Sequence, residues 1–310
     1  MPASPFDNAI YRDLFGDTEV GNLFSATAEV RAMMLVQGTL AKVQGTLDII
    51  PEISGAAIHR ASLELQIDPG GLSKATGQNG VVVPALVSAF RAEMKAPEHA
   101  QYLHWGATSQ DVMDTGLILR LRAVVAIYDL RLRTLVRTLG GLAAQHADLA
   151  MVARTFGQAA TPTSFGAAVA SWGAPLIRHI DRLDALKPRL LQVSLSGAAG
   201  TLSVMGPQGG LGAQLRADFA AALDLNDPGS SWHSTRDTIA EFSAWMTLVN
   251  GSIAKMGADV IAMTQSGIDE VTLSDSGTSS TMPQKSNPIL PSLLVALADQ
   301  TTALNSTIQG

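Results

Sequence analysis

Apolar residues recur along much of the chain at steps of three and four, which is the spacing of one helix face rather than of a strand. The longest such stretch lies between Pro97 and Pro162, where no proline interrupts the sequence and a helix can therefore continue. Its apolar positions are Leu117, Leu121, Val124, Tyr128, Leu132, Leu135, Leu139 and Leu142. The pattern predicts one helix over about residues 114–149, roughly 54 Å long at about 1.5 Å per residue.

The same periodicity predicts three further long helices and three shorter ones. The long ones cover about residues 164–187, with a kink at Pro175, residues 234–268, and a stretch from near Pro291 to the chain end. The shorter ones precede Pro97 and cover about residues 27–47, 53–65 and 84–95. The predicted fold class is all-α, with a small N-terminal helical domain over residues 1–110 and a long-helix bundle over residues 111–310. Because a purely structural bundle would show the same pattern, function must be sought in the connecting segments.

Composition and charge exclude several classes of protein and site. The 310 residues include no cysteine, which excludes disulfides and thiolate metal sites. The formal net charge of −6 argues against a nucleic-acid-binding face. The histidines are scattered without HxH or HxxxH spacing, so no metal site is predicted. Neither a signal peptide nor an apolar run of about 18 residues is visible. We therefore expect a cytoplasmic protein that binds neither nucleic acid nor a membrane.

The first of three polar segments between apolar helices reads HWGATSQD and covers residues 104–111. Its small hydroxyl and amide side chains can cap the long helix that follows, and the N-terminus of that helix can also hold a carboxylate. Capping accounts for one or two of these residues, but not for a run of polar residues close to a histidine. Candidate functional residues in this segment are therefore His104, Thr108, Ser109 and Gln110.

The second polar segment reads ARTFGQAATPTSFG and covers residues 153–166, between the first two long helices. Arg154 can pair with a carboxylate through two hydrogen bonds, and Thr155 and Gln158 supply neutral hydrogen-bonding groups. Glycine and proline are also ordinary in an interhelical turn, so a purely structural connection is an equal alternative.

The third polar segment reads SGTSSTMPQKSNP, covers residues 276–288 and contains six hydroxyl side chains. A Ser/Thr-rich surface loop is the structural alternative. However, a single lysine followed two residues later by asparagine is suited to stabilising an anion where water is scarce. The candidate residues here are Ser279, Ser280, Met282, Lys285 and Asn287.

The third segment resembles the G-S-x-x-M-x-x-K-x-N fingerprint of the fumarase/aspartase superfamily, with Thr278 in place of the leading glycine. The first two segments match the superfamily's other active-site segments in the right order, and residues 14–50 and 232–237 resemble its carboxymuconate cycloisomerase branch. The resemblance covers nearly the whole chain. It implies a long-helix bundle of the fumarase/aspartase type whose C-terminal part is missing here, and a homotetramer with active sites shared between subunits.

The resemblance also implies roles for individual residues. Ser279 takes the position of the serine that transfers the proton, while Lys285 and Asn287 match the residues that hold a substrate carboxylate and stabilise a dianionic intermediate. His104 resembles an active-site histidine. Further matches to substrate contacts are Thr108, Ser109, Thr155, Gln158 and, in the WHSTRD segment at 232–237, His233 and Arg236. No metal and no cofactor are implied.

Phe156 distinguishes reaction types within the superfamily. Members that expel an amine or hydroxide usually carry a histidine here, and general acid help of that kind contributes about 10²–10⁴-fold. A departing carboxylate, with a pKa of about 4, needs almost none. The expected activity is therefore cofactor-independent lactonisation of a small polycarboxylate, 3-carboxy-cis,cis-muconate or a close 3-substituted analogue. The alternatives are 3-sulfomuconate as the substrate, an adenylosuccinate-type lyase that releases fumarate with His104 as the acid, and an inactive structural relative.

Overall fold

The computed structural model describes residues 5–205, 209–274 and 276–309, and helices dominate these ranges. The α-helices are α1 (Arg12–Phe15), α2 (Thr18–Leu23), α3 (Ala26–Thr46), α4 (Glu52–Glu64), α5 (Pro69–Asn79), α6 (Val83–Met94), α7 (Pro97–Ala100), α8 (Ser109–Gln145), α9 (Phe165–Leu190), α10 (Gly209–Ala222), α11 (Asp237–Met263) and α12 (Ile289–Gln309). Short 3-10 helices lie at Pro5–Asp7, Ala9–Tyr11 and Ser203–Met205. The short strands are β1 (Ala150–Thr155), β2 (Gln158–Ser164), β3 (Gly277–Thr278) and β4 (Ser286–Asn287). The predicted all-α fold class is confirmed.

The helices predicted from periodicity correspond to α3, α4, α6, α8, α9, α11 and α12, with ends that differ by five residues or fewer. α9 continues through Pro175, where a kink was predicted. The prediction missed α5 because its sequence, PGGLSKATGQN, carries no apolar stripe. That helix is instead defined by its first turn, where the Asp68 carboxylate accepts the backbone N–H groups of Gly70 and Gly71.

Contacts between Cα atoms divide the chain into two compact units. Unit 1 comprises Met1–Ile127 and Pro188–Arg236, and unit 2 comprises Tyr128–Lys187 and Asp237–Gly310. Helix α8 therefore contributes its first half to unit 1 and its second half to unit 2. Met1–Ser4 and Gly310, which fall within the predicted domains 1–110 and 111–310, lie outside the described residues. The division into domains 1–110 and 111–310 stays a prediction, because the two contact-based units do not test which parts of the chain fold as separate domains.

Unit 1 is built around the close packing of α3 against α4. The Ser25 hydroxyl caps the start of α3 by accepting the Ala28 N–H at 3.2 Å. The two helices approach so closely that a Cβ atom at Gly55 would lie 2.5 Å from the carbonyl oxygen of Ala41. Met33 and Met34 of α3 and Ile58 of α4 are fully buried. Glycine at the crossing is therefore a packing requirement.

A buried histidine links α9 to α11 in unit 2. Arg182 donates to Nδ1 of His179 at 3.1 Å, and because a guanidinium cannot accept, the ring hydrogen lies on Nε2 and is donated to Ser252 at 2.8 Å. The His179 carbonyl accepts the indole N–H of Trp245 at 2.9 Å. Burial first, and then the charges of Arg182 and Arg178, lower the pKa of His179. The ring is thus held neutral, with both nitrogens occupied.

Two of the three polar segments contain strands, which the apolar pattern did not indicate. In unit 2, β1 and β2 form an antiparallel hairpin in which Thr155 pairs with Gln158. The intervening Phe156 and Gly157 have φ values of 52° and 73°, the two positive values of a type I′ turn. In the third segment, β3 pairs with β4. The sequences of β1 and β2, AMVART and QAATPTS, do not alternate between apolar and polar residues, and β3 and β4 have only two residues each, so none of the four is recognisable from the apolar pattern.

The glycine requirement at the α3–α4 crossing can be tested by substitution. Gly55→Ala is expected to lower the free energy of unfolding by about 2 kcal/mol, because the added methyl group meets backbone rather than a movable side chain. Gly77→Ala in α5, where no atom lies within 4 Å of the added Cβ, is the control and is expected to raise it by about 0.5–1 kcal/mol. Urea denaturation of both variants measures the difference, and equal effects would contradict the packing argument.

The pH dependence of stability follows from the lowered pKa of His179. Since the unfolded chain takes up a proton as the pH falls through about 6.5 and the folded chain resists it, stability is lost below about pH 6.5. His179→Gln keeps a donor for Ser252 but does not titrate. Its free energy of unfolding is expected to fall less steeply between pH 7.5 and 5.5 than that of the unaltered protein. Parallel pH profiles in urea denaturation would argue against a neutral buried His179.

Candidate functional site

Asp111, in the first turn of α8, is the hub of the polar residues in unit 1. Its carboxylate is 1% exposed and accepts four hydrogen bonds. The donors are the backbone N–H groups of Thr108, Ser196 and Gly197, at 2.9, 2.8 and 3.0 Å, and Nε2 of His233, at 2.6 Å. The bond to Thr108 is one half of a capping box, in which the third residue of a helix reaches back to the N-cap. One buried carboxylate thus brings together three separate stretches of the chain.

Two further residues of the same helix turn bind the same stretches. The hydroxyl of Thr115 exchanges hydrogen bonds with both the backbone N–H and the carbonyl of Ser194, at 2.8 and 3.0 Å. The Asp114 carboxylate, which is 4% exposed, accepts two hydrogen bonds from Arg236, at 2.7 and 2.9 Å. The guanidinium also lies over the ring of Trp232, 5.1 Å from its centroid. Arg236, a predicted substrate-binding residue, is therefore already held by a carboxylate of its own unit.

His104 lies at the start of the same segment with a positive φ of 65°. Its Nδ1 lies 3.1 Å from the side-chain amide nitrogen of Gln37, a buried residue of α3. With that amide as the donor, Nδ1 is an acceptor and the ring hydrogen lies on Nε2. Burial lowers the pKa of His104, against the opposing influence of the Asp111 charge. The imidazole is thus neutral at neutral pH, and it is better placed to donate a hydrogen bond than to act as a strong acid.

The hairpin of unit 2 presents the candidates of the second polar segment. Thr155 and Gln158 are exposed beside the turn, and Phe156 at its tip is 104% exposed. Arg154 donates to the Glu270 carboxylate at 2.6 Å, and this hydrogen bond raises the pKa of the guanidinium. Glu270 is in turn fixed to the end of α11, because its backbone N–H donates to the Met263 carbonyl at 2.9 Å. Arg154 therefore anchors the hairpin in unit 2, and its predicted contact with substrate stays a prediction.

Short-range backbone bonds shape the third polar segment, also in unit 2. The Ser279 hydroxyl oxygen accepts the backbone N–H groups of Thr281 and Met282 at 3.3 and 3.1 Å. The Lys285 N–H donates to the Met282 carbonyl at 3.0 Å, and the Lys285 side chain is exposed. Asn287 is half-buried where β4 meets β3, whereas Ser280 and Met282 are exposed. The segment is a compact loop on a two-residue ladder.

The departure from the superfamily fingerprint at Thr278 has a local explanation. Thr278 lies in β3, where its φ is not positive, so glycine is not required there. The close approach occurs one residue earlier, since a Cβ atom at Gly277 would lie 2.4 Å from Cγ1 of Ile289. Position 277, and not 278, is therefore where an added side chain would have to displace a neighbour, the side chain of Ile289.

The structure gathers the predicted residues in three places. His104, Thr108, Ser109, Gln110, His233 and Arg236 lie around the start of α8 in unit 1, and unit 2 carries the hairpin set and the Ser279 loop. Their contacts with substrate stay predictions. The sequence analysis missed Gln37, Asp111, Asp114 and Glu270. The spacing of Asp111, Asp114 and Thr115 on one face of a helix turn was a signal for the acidic pair, whereas nothing local indicated Gln37 or Glu270.

Within the described ranges, no group of three or more histidine, aspartate or glutamate side chains is placed to hold a metal ion. None of the helices in those ranges is long and apolar enough to cross a membrane.

Comparisons with known proteins extend the resemblance. The profile of the family described as lyase matches residues 11–302. The chain is 35% identical over 306 residues to 3-carboxy-cis,cis-muconate cycloisomerase of Pseudomonas aeruginosa, covering 97% of this chain and 66% of that protein. Among solved structures, 3-carboxy-cis,cis-muconate lactonizing enzyme of Pseudomonas putida matches with a TM-score of 0.87 and 33% identity, covering 97% of this chain and 67% of that one. A fumarate lyase of Mesorhizobium sp. BNC1 matches with a TM-score of 0.84 and 32% identity, covering 94% and 64%. The chain thus spans about two thirds of the length of these relatives.

The buried Asp114 carboxylate makes the Arg236 pair sensitive to substitution. Arg236→Leu is expected to lower the free energy of unfolding by about 2 kcal/mol or more, because it leaves a 4% exposed charge without its partner. Arg133→Leu is the matched control, since the two arginine side chains are 41% and 46% exposed but the partners of Arg133, Asp129 and Asp184, are far less buried than Asp114. Its cost is expected to stay within about 1 kcal/mol. Equal losses in urea denaturation would show that Asp114 does not depend on Arg236.

Proposed function

The chain belongs to the lyase family, and we propose that it acts as a cycloisomerase that converts 3-carboxy-cis,cis-muconate to its lactone. The proposal includes catalysis without a cofactor, by a cytoplasmic homotetramer whose active sites combine segments of several subunits. The names of the relatives support the substrate class, since the Pseudomonas aeruginosa cycloisomerase and the Pseudomonas putida lactonizing enzyme are both named for this tricarboxylate.

The observation that carries the proposal is the absence of a proton donor at the tip of the hairpin. Phe156 stands fully exposed there, between Thr155 and Gln158, and an aromatic residue with positive φ costs roughly 1–2 kcal/mol of backbone strain. A leaving group that is a strong base would need an acid at such a position. Lactone formation and opening need none, because the oxygen that bonds to carbon belongs to a carboxylate.

The environment of Ser279 supports its role as the proton-transferring residue. An isolated serine is a poor base because its alkoxide is unstable in water. Two backbone N–H groups already point at the Ser279 oxygen and would stabilise a negative charge there as the hydroxyl hydrogen leaves. Within the described ranges, no acceptor takes that hydrogen, which leaves it available for transfer.

The reaction then proceeds as an addition across one double bond. A carboxylate oxygen of the substrate attacks the far carbon of the conjugated system and forms the ring C–O bond. The π electrons of the double bond move to the adjacent carbon and are delocalised into the carboxylate attached to that carbon. Lys285 and Asn287 stabilise this charge, and the Ser279 hydroxyl delivers a proton to the carbon. Water then returns a proton to the serine oxygen. Thr108 and Ser109, at the positive end of α8, bind another carboxylate.

A lyase that releases fumarate is the second candidate, favoured by the similarity to the Mesorhizobium fumarate lyase. It would need His104 or another group to protonate the leaving group. The lowered pKa of His104 makes a neutral imidazole a weak acid at neutral pH, so the lactonising reaction has the better support.

Substrate assays decide between the candidates. The intact protein is expected to remove the ultraviolet absorbance of 3-carboxy-cis,cis-muconate and to leave adenylosuccinate unchanged. A parallel assay with 3-sulfomuconate shows whether a sulfonate can replace the carboxylate at position 3 of the substrate. Fumarate release from adenylosuccinate, without turnover of either muconate, would contradict the proposal.

Substitution of the loop residues tests their roles. Ser279→Ala and Lys285→Ala are each expected to reduce kcat by about 10³-fold or more, because proton transfer and charge stabilisation are lost in the transition state. Ser274→Ala, an exposed serine outside the loop, is the control and should keep full activity. Circular dichroism confirms that helix content is unchanged. Turnover by Ser279→Ala at the unaltered rate would remove the serine from the mechanism.

A further inference from the structure

His233 and Asp111 form a pair that the mechanism above does not use. The Asp111 carboxylate is buried and takes three backbone N–H groups in addition to Nε2 of His233. Oδ1 accepts the Ser196 N–H and Oδ2 accepts the N–H groups of Thr108 and Gly197, so both carboxylate oxygens are acceptors here. The hydrogen in the 2.6 Å bond therefore lies on Nε2 of His233, and Nδ1 is the nitrogen left for another partner.

The imidazole of His233 is not fully buried. Its side chain is 19% exposed, and within the described part of the chain no group hydrogen-bonds to Nδ1. A carboxylate that binds one ring nitrogen fixes the orientation of the imidazole, as in the acid–histidine pairs of many active sites. The second nitrogen is then presented to whatever enters beside it.

Local packing does not require a histidine at position 233. The residue before it, Trp232, donates its indole N–H to the Val193 carbonyl at 2.8 Å. Three residues after it, Arg236 makes its two bonds to Asp114. The segment is thus anchored on both sides of His233, and Asp111 has three donors without it. A titratable ring between two independent anchors therefore points to a role beyond folding.

The pair lies next to the candidate carboxylate binders. The Thr108 N–H and Nε2 of His233 both bind the Asp111 carboxylate, so the imidazole lies close to Thr108 and the start of α8. The titratable and charged groups of the elements that meet here are Asp111 itself, the neutral His104, and the mutually paired Asp114 and Arg236. Residues 193–197 carry no titratable side chain. An incoming anion would be repelled by Asp111 unless His233 is protonated.

We propose that Asp111 and His233 form a carboxylate-binding dyad, in which the His233 imidazolium donates its Nδ1 hydrogen to one carboxylate of the substrate beside Thr108 and Ser109. The identity of the substrate in this proposal rests on the proposed function. Asp111 is the positioning residue, since it acts through His233. A carboxylate rather than a leaving group is the natural partner, because lactone formation requires no second proton donor.

Binding of an unreactive polycarboxylate tests the dyad. Tricarballylate carries three carboxylates and no double bond, and isothermal titration calorimetry at pH 6 and pH 8 measures its affinity for the intact protein. Tighter binding is expected at pH 6, because only the imidazolium carries a hydrogen on Nδ1 while Nε2 is committed to Asp111. His233→Gln is expected to bind about tenfold more weakly at pH 6, as for the loss of one charge-assisted hydrogen bond, and to lose the pH dependence.

The control is His59→Gln, the same substitution in α4 of the same unit, which should bind tricarballylate like the unaltered protein at both pH values. Because Trp232 and Arg236 remain as anchors, His233→Gln is expected to fold, and its thermal melting curve verifies this. The dyad is refuted if the unaltered protein does not bind tricarballylate at pH 6, or if folded His233→Gln keeps the unaltered affinity and pH dependence.

Kinetics with 3-carboxy-cis,cis-muconate separate failure of the dyad from failure of the proposed function. With both correct, His233→Gln raises KM by about tenfold and changes kcat much less, since the contact is made equally in the ground and transition states. An unaltered protein that does not turn this substrate over, but binds tricarballylate through His233, disproves the reaction and supports the dyad. A His233→Gln variant with unaltered KM and kcat disproves the dyad and leaves the reaction in place.

Discussion

The polar architecture of unit 1 depends on one constraint, which is that the buried carboxylate of Asp111 must be fully hydrogen-bonded. An ionised group removed from water is strongly destabilising unless donors replace its hydration. Here the donors come from the residue that precedes α8, from the turn at Ser196 and Gly197, and from His233. Thr108 and residues 196–197 are far apart in sequence, so binding one carboxylate fixes the turn at Ser196 and Gly197 against the start of α8. Asp114 and Thr115, on the same helix face, likewise accept hydrogen bonds from distant residues, Arg236 and the Ser194 N–H respectively.

In unit 2 the polar segments are arranged differently, because few of their side chains are used to bind backbone groups elsewhere in the chain. The hairpin and the Ser279 loop are shaped by backbone hydrogen bonds. Their side chains are therefore left available, as the exposure of Thr155, Gln158 and Lys285 illustrates. The exception is Arg154, whose pairing with Glu270 ties the hairpin to the chain beyond α11. A loop held by its own backbone hydrogen bonds can present polar side chains without a large buried core around it.

The two arrangements explain why polar residues within one motif have different roles. In the HWGATSQD segment, all the hydrogen bonds of the Asp111 carboxylate are made within unit 1. The side chains of Thr108, Ser109 and Gln110 are half-buried at the helix start. In the WHSTRD segment, Trp232 and Arg236 anchor the chain and His233 keeps a nitrogen free. A motif thus contains both residues whose side chains are bound by the fold and residues whose side chains are left available, and only the hydrogen-bond partners separate the two groups.

The sequence alone determined the long helices and the three polar segments, because helical periodicity and proline spacing are local properties that survive without knowledge of the fold. The sequence also contains the motif that identifies Ser279, Lys285 and Asn287 as candidate functional residues. The tertiary structure decided which of the candidates are already occupied: Arg236 by Asp114, Arg154 by Glu270, and His233 by Asp111 through one nitrogen only. The partners in these pairs lie more than one hundred residues apart. No local pattern can reveal such a partner, because the charge of a buried group is balanced in space and not along the chain.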